Sequence, residues 1–197
     1  MTQGKKKTVP QKKAMNKTVL PAWPLEGKGT FLLFAGVTFV MTLVLFAKYL
    51  FGPNLYIFND AGSDTITVFY PNLVQSARYF QEEGLPGWSF YVGLGTNIYP
   101  GFLLNPFHWV YLHMDAVHIA YAVAWVQATI LFLTGLVFYR FLREAEFSLP
   151  VRFFGGLAYA FGGYVVLCNT WYGHADDSFW MTCALLGFEI LLRRKLW

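Results

Sequence analysis

Four apolar runs, each closed by charge or by glycine and proline, constrain this chain more than any other feature. They cover residues 30–51, 116–142, 151–169 and 179–192. A helix needs about 20 apolar residues to cross a bilayer. Lipid offers no partner for backbone N–H and C=O groups, so a span must satisfy them internally. The pattern predicts an all-α polytopic membrane protein with about four transmembrane helices. A basic tail over 1–28 precedes them, a long connection over 52–115 follows the first, and a short charged end occupies 193–197. Composition agrees: 13% of the residues are charged and 56% are hydrophobic, whereas a soluble domain carries about 25% charge. A cleaved signal peptide is not expected. Pro21, Trp23 and Pro24 separate the basic tail from the first run, which is too long for a signal core.

The charge distribution gives direction. Seven lysines fall within residues 1–28, and Arg140, Arg143, Arg152, Arg193, Arg194 and Lys195 close the later runs, thirteen in all. With the N-terminus in the cytoplasm these all lie inside, and only Arg78 and Lys48 lie outside. That asymmetry predicts a multi-pass protein of the inner (cytoplasmic) membrane with loop 52–115 extracytoplasmic. The lysine tail then contacts anionic lipid, and no nucleic-acid partner is expected. Cys168 and Cys183 sit in apolar runs without metal or disulfide spacing, which predicts buried thiols. Gly155-Gly156 and Gly162-Gly163 let helices approach closely in lipid.

Asp60, Asp64, Glu82, Glu83, Asp115, Asp176 and Asp177 all fall on the outer side in this topology. Asp60 and Asp64 are four residues apart just beyond the first span. Asp64 suits a helix N-cap, with its carboxylate accepting a backbone N–H. Asn59-Asp60-Ala61-Gly62 is also ordinary turn chemistry. The helix that follows runs over 64–83, or begins at Tyr70 with Pro71 in its first turn. Leu73, Val74, Ala77 and Phe80 recur at helical spacing opposite Gln75, Arg78 and Glu82, which predicts an amphipathic helix lying on the membrane. Gly84 and Pro86 end it. Trp88, Tyr91 and Asn97 belong to an aromatic and glycine-rich stretch over 87–99. No strand precedes its Gly93-x-Gly95, so it is not a dinucleotide fingerprint. Asn105-Pro106-Phe107 opens a short apolar piece, possible as a re-entrant segment, before Asp115 begins the second span.

The strings FNDAGSDTITVFYPNL, GLPGWSFYVGLGTNIYP and LLNPFHWVYL resemble the N-terminal part of the YfhO-type bacterial membrane proteins, within the wider group of GT-C glycosyltransferases. The resemblance implies sugar transfer outside the cytoplasmic membrane. The donor would be a polyprenyl-phosphate-linked sugar, and the acceptor an envelope polymer or glycolipid. Asp64 matches the loop aspartate that such enzymes place near the reaction centre, and Asp60 is its neighbour in the motif. A carboxylate there can act as a general base toward an acceptor hydroxyl. It can also stabilise an oxocarbenium-like transition state. Arg78 suits the leaving phosphate. A divalent ion such as magnesium or manganese, held by Asp60 and Asp64, would be an alternative. Segment 87–99, with Trp88, Tyr91 and Asn97, would shape the donor pocket. His174, Asp176 and Asp177 would contribute to the acceptor site or ligate a metal.

Plainer roles compete with these. Arg78 also reads as a solvated face, and the 170–178 patch as a loop that simply meets water. His108, His113 and His118 read as packing or interface residues. Glu189 reads as a snorkelling side chain, and Lys48 as an interface anchor able to reach a lipid phosphate. The resemblance covers only the first part of a family protein, so further spans or a partner subunit are expected to complete it. The competing function is a non-catalytic scaffold or lipid-binding subunit of an envelope assembly complex. An ion-coupled transporter is disfavoured, because the carboxylates lie in loops and not at the membrane midplane.

Overall fold

The computed structural model describes residues 28–58, 64–84, 87–90, 93–95, 97, 105–167 and 171–194. Asp60, Tyr91, Pro86, Cys168 and the tail lysines before Lys28 lie outside the described residues. The chain forms α1 (Lys28–Leu50), a π-helical turn (Thr65–Phe69), α2 (Tyr70–Glu83) and a 3-10 helix (Pro106–His113). Then follow α3 (Ala116–Glu144), α4 (Leu149–Ala160), α5 (Gly163–Leu167) and α6 (Tyr172–Arg194). There is no strand among the described residues, so the chain is an all-α membrane protein.

α3 is the hub, with α1, α4 and α6 packed around it. Its buried positions, among them Ile119, Val123, Gln127, Ile130, Leu131 and Thr134, recur at three- and four-residue steps. Small residues set how near the neighbours come. A Cβ on Gly135 would lie 3.1 Å from Thr38 Cγ2 and 3.2 Å from Ala160 Cβ, so α1, α3 and α4 meet there. A Cβ on Gly156 would lie 2.7 Å from the Phe34 ring. Such close approach is what drives helix association where the surrounding solvent is itself apolar. The buried Thr38 and Thr42 hydroxyls each donate to the carbonyl four residues back at 2.8 Å, whereas the buried Thr30 hydroxyl has no partner. α1 turns Leu32, Phe39, Val40 and Val44 outward, as a lipid-facing surface requires.

Two expectations about the spans change. Three helices among the described residues are long and apolar enough to cross a membrane: Lys28–Leu50, Ala116–Glu144 and Leu149–Leu167. The fourth expected run, 179–192, is the later part of α6, which starts already at Tyr172. At 23 residues α6 has the length. Its first turns carry His174, Asp176 and Asp177, and its end carries Glu189, Arg193 and Arg194, which dilutes its apolar character. The third run is also not one straight helix. It breaks at Phe161 and Gly162, between α4 and α5.

The two ends of the bundle differ. At the charged end Arg193 reaches Glu146 at 2.6 Å and Glu189 at 2.5 Å, and Arg140 meets Glu144 at 2.5 Å. Glu189 is thus held by an arginine one turn on. At the other, loop end, the π-turn, α2 and the 3-10 helix gather around the start of α6.

Candidate functional site

The loop end is built on an aromatic cluster. After α1 the chain turns back so that Tyr56 packs on Phe46 (ring centroids 5.1 Å apart) and Tyr49 (4.9 Å). The Tyr172 hydroxyl donates to the Tyr56 carbonyl at 2.6 Å, tying this turn to the first residue of α6. Burial raises the pKa of both phenols far above the ordinary tyrosine value, so Tyr172 stays a proton donor. Phe69, at the end of the π-turn, reaches the Tyr172 ring at 5.9 Å.

Asp64 stands where this π-turn begins. Its backbone is already helical (φ −76°, ψ −5°) and its side chain makes no capping hydrogen bond. The expected N-cap does not form, because a cap needs an extended backbone to swing its oxygen over the first turn. The carboxylate is exposed, next to Thr65, which is fully buried. Its expected partner Asp60 lies outside the described residues.

α2 begins at Tyr70 with Pro71 in its first turn and stops at Gly84, whose φ of +79° favours glycine. It is amphipathic, as the spacing predicts. Its buried residues Leu73, Ala77 and Tyr79 face protein, because α2 packs against the 3-10 helix. Gln81 Nε2 donates to the carbonyls of Leu112 and Met114 (2.9 and 3.1 Å), and Tyr70 donates to that of Ala116 (2.8 Å). Arg78 lies on the outer face, paired with Glu82 at 2.7 Å. It lines an open groove of about 610 Å³ with Tyr70, Gln75, Tyr79 and Glu83. Asp64 is not among the residues lining that groove.

The aromatic and glycine-rich stretch is anchored through Ser89. This buried hydroxyl donates to Tyr79 Oη and accepts from Gln75 Nε2, both at 3.3 Å. Trp88 lies over Gly95, where a Cβ would come within 2.4 Å of the indole nitrogen. Gly95 has φ +110°, so both the turn and the ring above it require glycine. Trp88, Phe90 and Leu94 are exposed (52%, 77% and 101%), as is Asn97. Tyr91 lies outside the described residues.

His174, Asp176 and Asp177 do not form one cluster. His174 stacks on Trp171, with Nδ1 3.3 Å from Tyr164 Oη and 3.9 Å from the exposed Asp177 carboxylate. Asp176 points inward. Its Oδ2 accepts from Asn105 Nδ2 at 2.6 Å and lies 3.2 Å from His108 Nε2. Asn105 Oδ1 in turn accepts from Phe107 N at 3.1 Å and caps the 3-10 helix. Asp176 Oδ1 is buried with no hydrogen-bond partner. The fully buried Tyr111 lies nearby, its pKa pushed well up, first by burial and then by its neighbours Tyr172 and Asp176. Sequence reasoning missed Asn105 and the polar role of His108. The Asn-Pro-x-His spacing hinted at a capped turn, but the acidic partner is 71 positions away. His113 packs edge-on against Phe80 (5.3 Å), and His118 meets Asp115 at 2.9 Å. Among the described residues no three His, Cys, Asp or Glu side chains gather as a metal-binding group.

No curated protein and no solved structure matches this chain. Residues 33–197 do match the family described as bacterial membrane protein YfhO. That stretch takes in most of α1 and every later helix. With its apolar helices packed on α3, the chain belongs to the YfhO family of bacterial membrane proteins.

Proposed function

We propose that this chain is the N-terminal module of a GT-C-type membrane glycosyltransferase. It moves a sugar from a polyprenyl-phosphate donor to an envelope polymer or glycolipid on the extracytoplasmic side of the inner membrane, with its N-terminus in the cytoplasm. The observation that carries this reading is the state of Asp64. Its carboxylate is exposed at the loop end and makes no capping bond, so the plain structural role for an aspartate at a helix start does not account for it. In this role Asp64, helped by Asp60, takes a proton from the acceptor hydroxyl or offsets positive charge developing on the sugar. Arg78, facing its open groove, meets the phosphate leaving group. Trp88 offers a flat face for a sugar ring, with Tyr91 and Asn97 beside it in sequence. His174 and Asp177 contribute on the acceptor side. Asp176 acts at one remove, by holding Asn105 and His108.

A second reading is favoured by one observation. Trp88, Phe90 and Leu94 form an exposed apolar patch suited to a non-catalytic scaffold or lipid-binding subunit. Envelope glycans compared by mass spectrometry separate the two. A strain lacking the gene is complemented with the intact reading frame, wild type or Asp64→Asn, at matched membrane abundance. The transferase predicts a sugar decoration restored by wild type and absent with Asp64→Asn. Equal restoration by both would give the scaffold the lead.

A further inference from the structure

The end of α1 and the end of α5 leave a groove of about 310 Å³ at the membrane boundary, walled by Leu45, Lys48, Tyr49, Tyr56, Phe58 and Leu167 among others. The aromatic cluster closes its inner side. Leu45 and Leu167 are 40% and 73% exposed and continue it along the outer surface of the bundle. Its single cation is Lys48, whose ammonium lies 4.8 Å from the centroid of the Tyr49 ring. No carboxylate among the described residues lies within ion-pair distance of Lys48, whereas Arg78, the other cation at this end, is held by Glu82.

An ammonium with no ion pair among the described residues is attracted to an anion, and more strongly wherever the local dielectric falls below that of water. A lysine at a helix end ordinarily extends its head into water. Here the ammonium, on an exposed residue, also lies beside the Tyr49 ring at the rim of the apolar groove. Charge at the mouth and hydrocarbon-compatible walls below describe an amphiphile with one phosphate and a long chain. We infer that this groove binds the phosphate of an anionic lipid: the phosphate sits on Lys48, and the chain runs down past Leu45 and Leu167. The same chemistry is offered by an anionic phospholipid and by a polyprenyl phosphate. The site stands whether or not the protein transfers a sugar.

The test is photolabelling of the full-length protein, made from its intact gene and reconstituted in phosphatidylcholine nanodiscs. Three trace probes are used: photoactivatable phosphatidylglycerol, polyprenyl phosphate and phosphatidylcholine. Labelled peptides are mapped by mass spectrometry. Either anionic probe should mark the peptides around 45–58 and 166–167, and the one that marks them more strongly names the source. Lys48→Gln should lower the yield about tenfold or more, the ratio for losing one charge-assisted contact. Lys48→Arg should keep it and show that loss in Lys48→Gln is not misfolding, and Arg140→Gln, at the charged end, should leave it unchanged. Asp64→Asn should label like wild type, so failure of the transfer chemistry leaves this readout intact. Equal labelling by phosphatidylcholine, or undiminished labelling of Lys48→Gln, would overturn the site.

Discussion

The two ends of the bundle use charge in opposite ways. At the charged end Glu144 and Glu189 are 19% and 20% exposed, while the Arg193–Glu146 pair lies on the surface, with Glu146 79% exposed. Water competes for such pairs, so they contribute little to stability. Their sign matters more for the orientation proposed above, in which the cation-rich end faces the cytoplasm. At the loop end the carboxylate of Asp176 is 9% exposed and its partners, Asn105 and His108, come from the far side of the first connection. A buried polar contact of this kind is costly to leave half-made. It therefore selects which segment docks on α6, a task no apolar contact does as specifically. Exposed charge serves the proposed orientation; buried charge joins the parts of the molecule.

The difference can be attacked directly. Asp176→Ala strands Asn105 and His108 in the interior and should cost about 3 kcal/mol. The measurement is thermal unfolding of the nanodisc-embedded protein, with hydrogen exchange rising first over the 3-10 helix. A cost no larger than that of a surface pair would erase the distinction between the ends. An intermediate effect is expected at Asp115, where the chain enters α3. Its carboxylate accepts from the His118 backbone N–H at 2.9 Å, and that bond, followed by the contact with the His118 ring, holds its pKa below the ordinary aspartate value. A depressed folded-state pKa means the contribution is full above the unfolded value and is lost as pH falls through the folded one. Acid should therefore loosen the first turn of α3, read by exchange of the amides at 116–119, while Asp115→Asn should flatten that response. The smallest effect belongs to the charged end. Arg140→Gln removes the pair with Glu144 and should shift stability by no more than about 0.5 kcal/mol. A larger loss would mean that this pair contributes to stability as a buried one does.

Much of the fold was legible because lipid allows so few solutions. Run lengths gave α1, α3 and the α4–α5 segment, and Gly84 and Pro71 bounded α2. Two contacts were not legible, for one cause. The stripe of Leu73 and Ala77 has the same period whether lipid or protein covers it, and here the 3-10 helix is the cover. Asp176 looks like a water-facing loop residue until Asn105 arrives from 71 positions away. Periodicity reports that a face is buried; it does not say against what. Asp64 failed differently. Its residue type suits a cap, but the π-turn that follows starts from a helical backbone, and composition does not encode that.

The break between α4 and α5 has a consequence for the membrane itself. A Cβ on Gly162 would lie 2.9 Å from the Ala158 carbonyl, so the chain turns there only because glycine allows it. An open groove of about 390 Å³, lined by Gly162, Gly163, Tyr164, Asp177 and Ser178, begins at that point. α4 has 12 residues, about 18 Å of rise, against about 30 Å of hydrocarbon in a bilayer. α5 must therefore continue the crossing past the break, as the 19-residue stretch Leu149–Leu167 does.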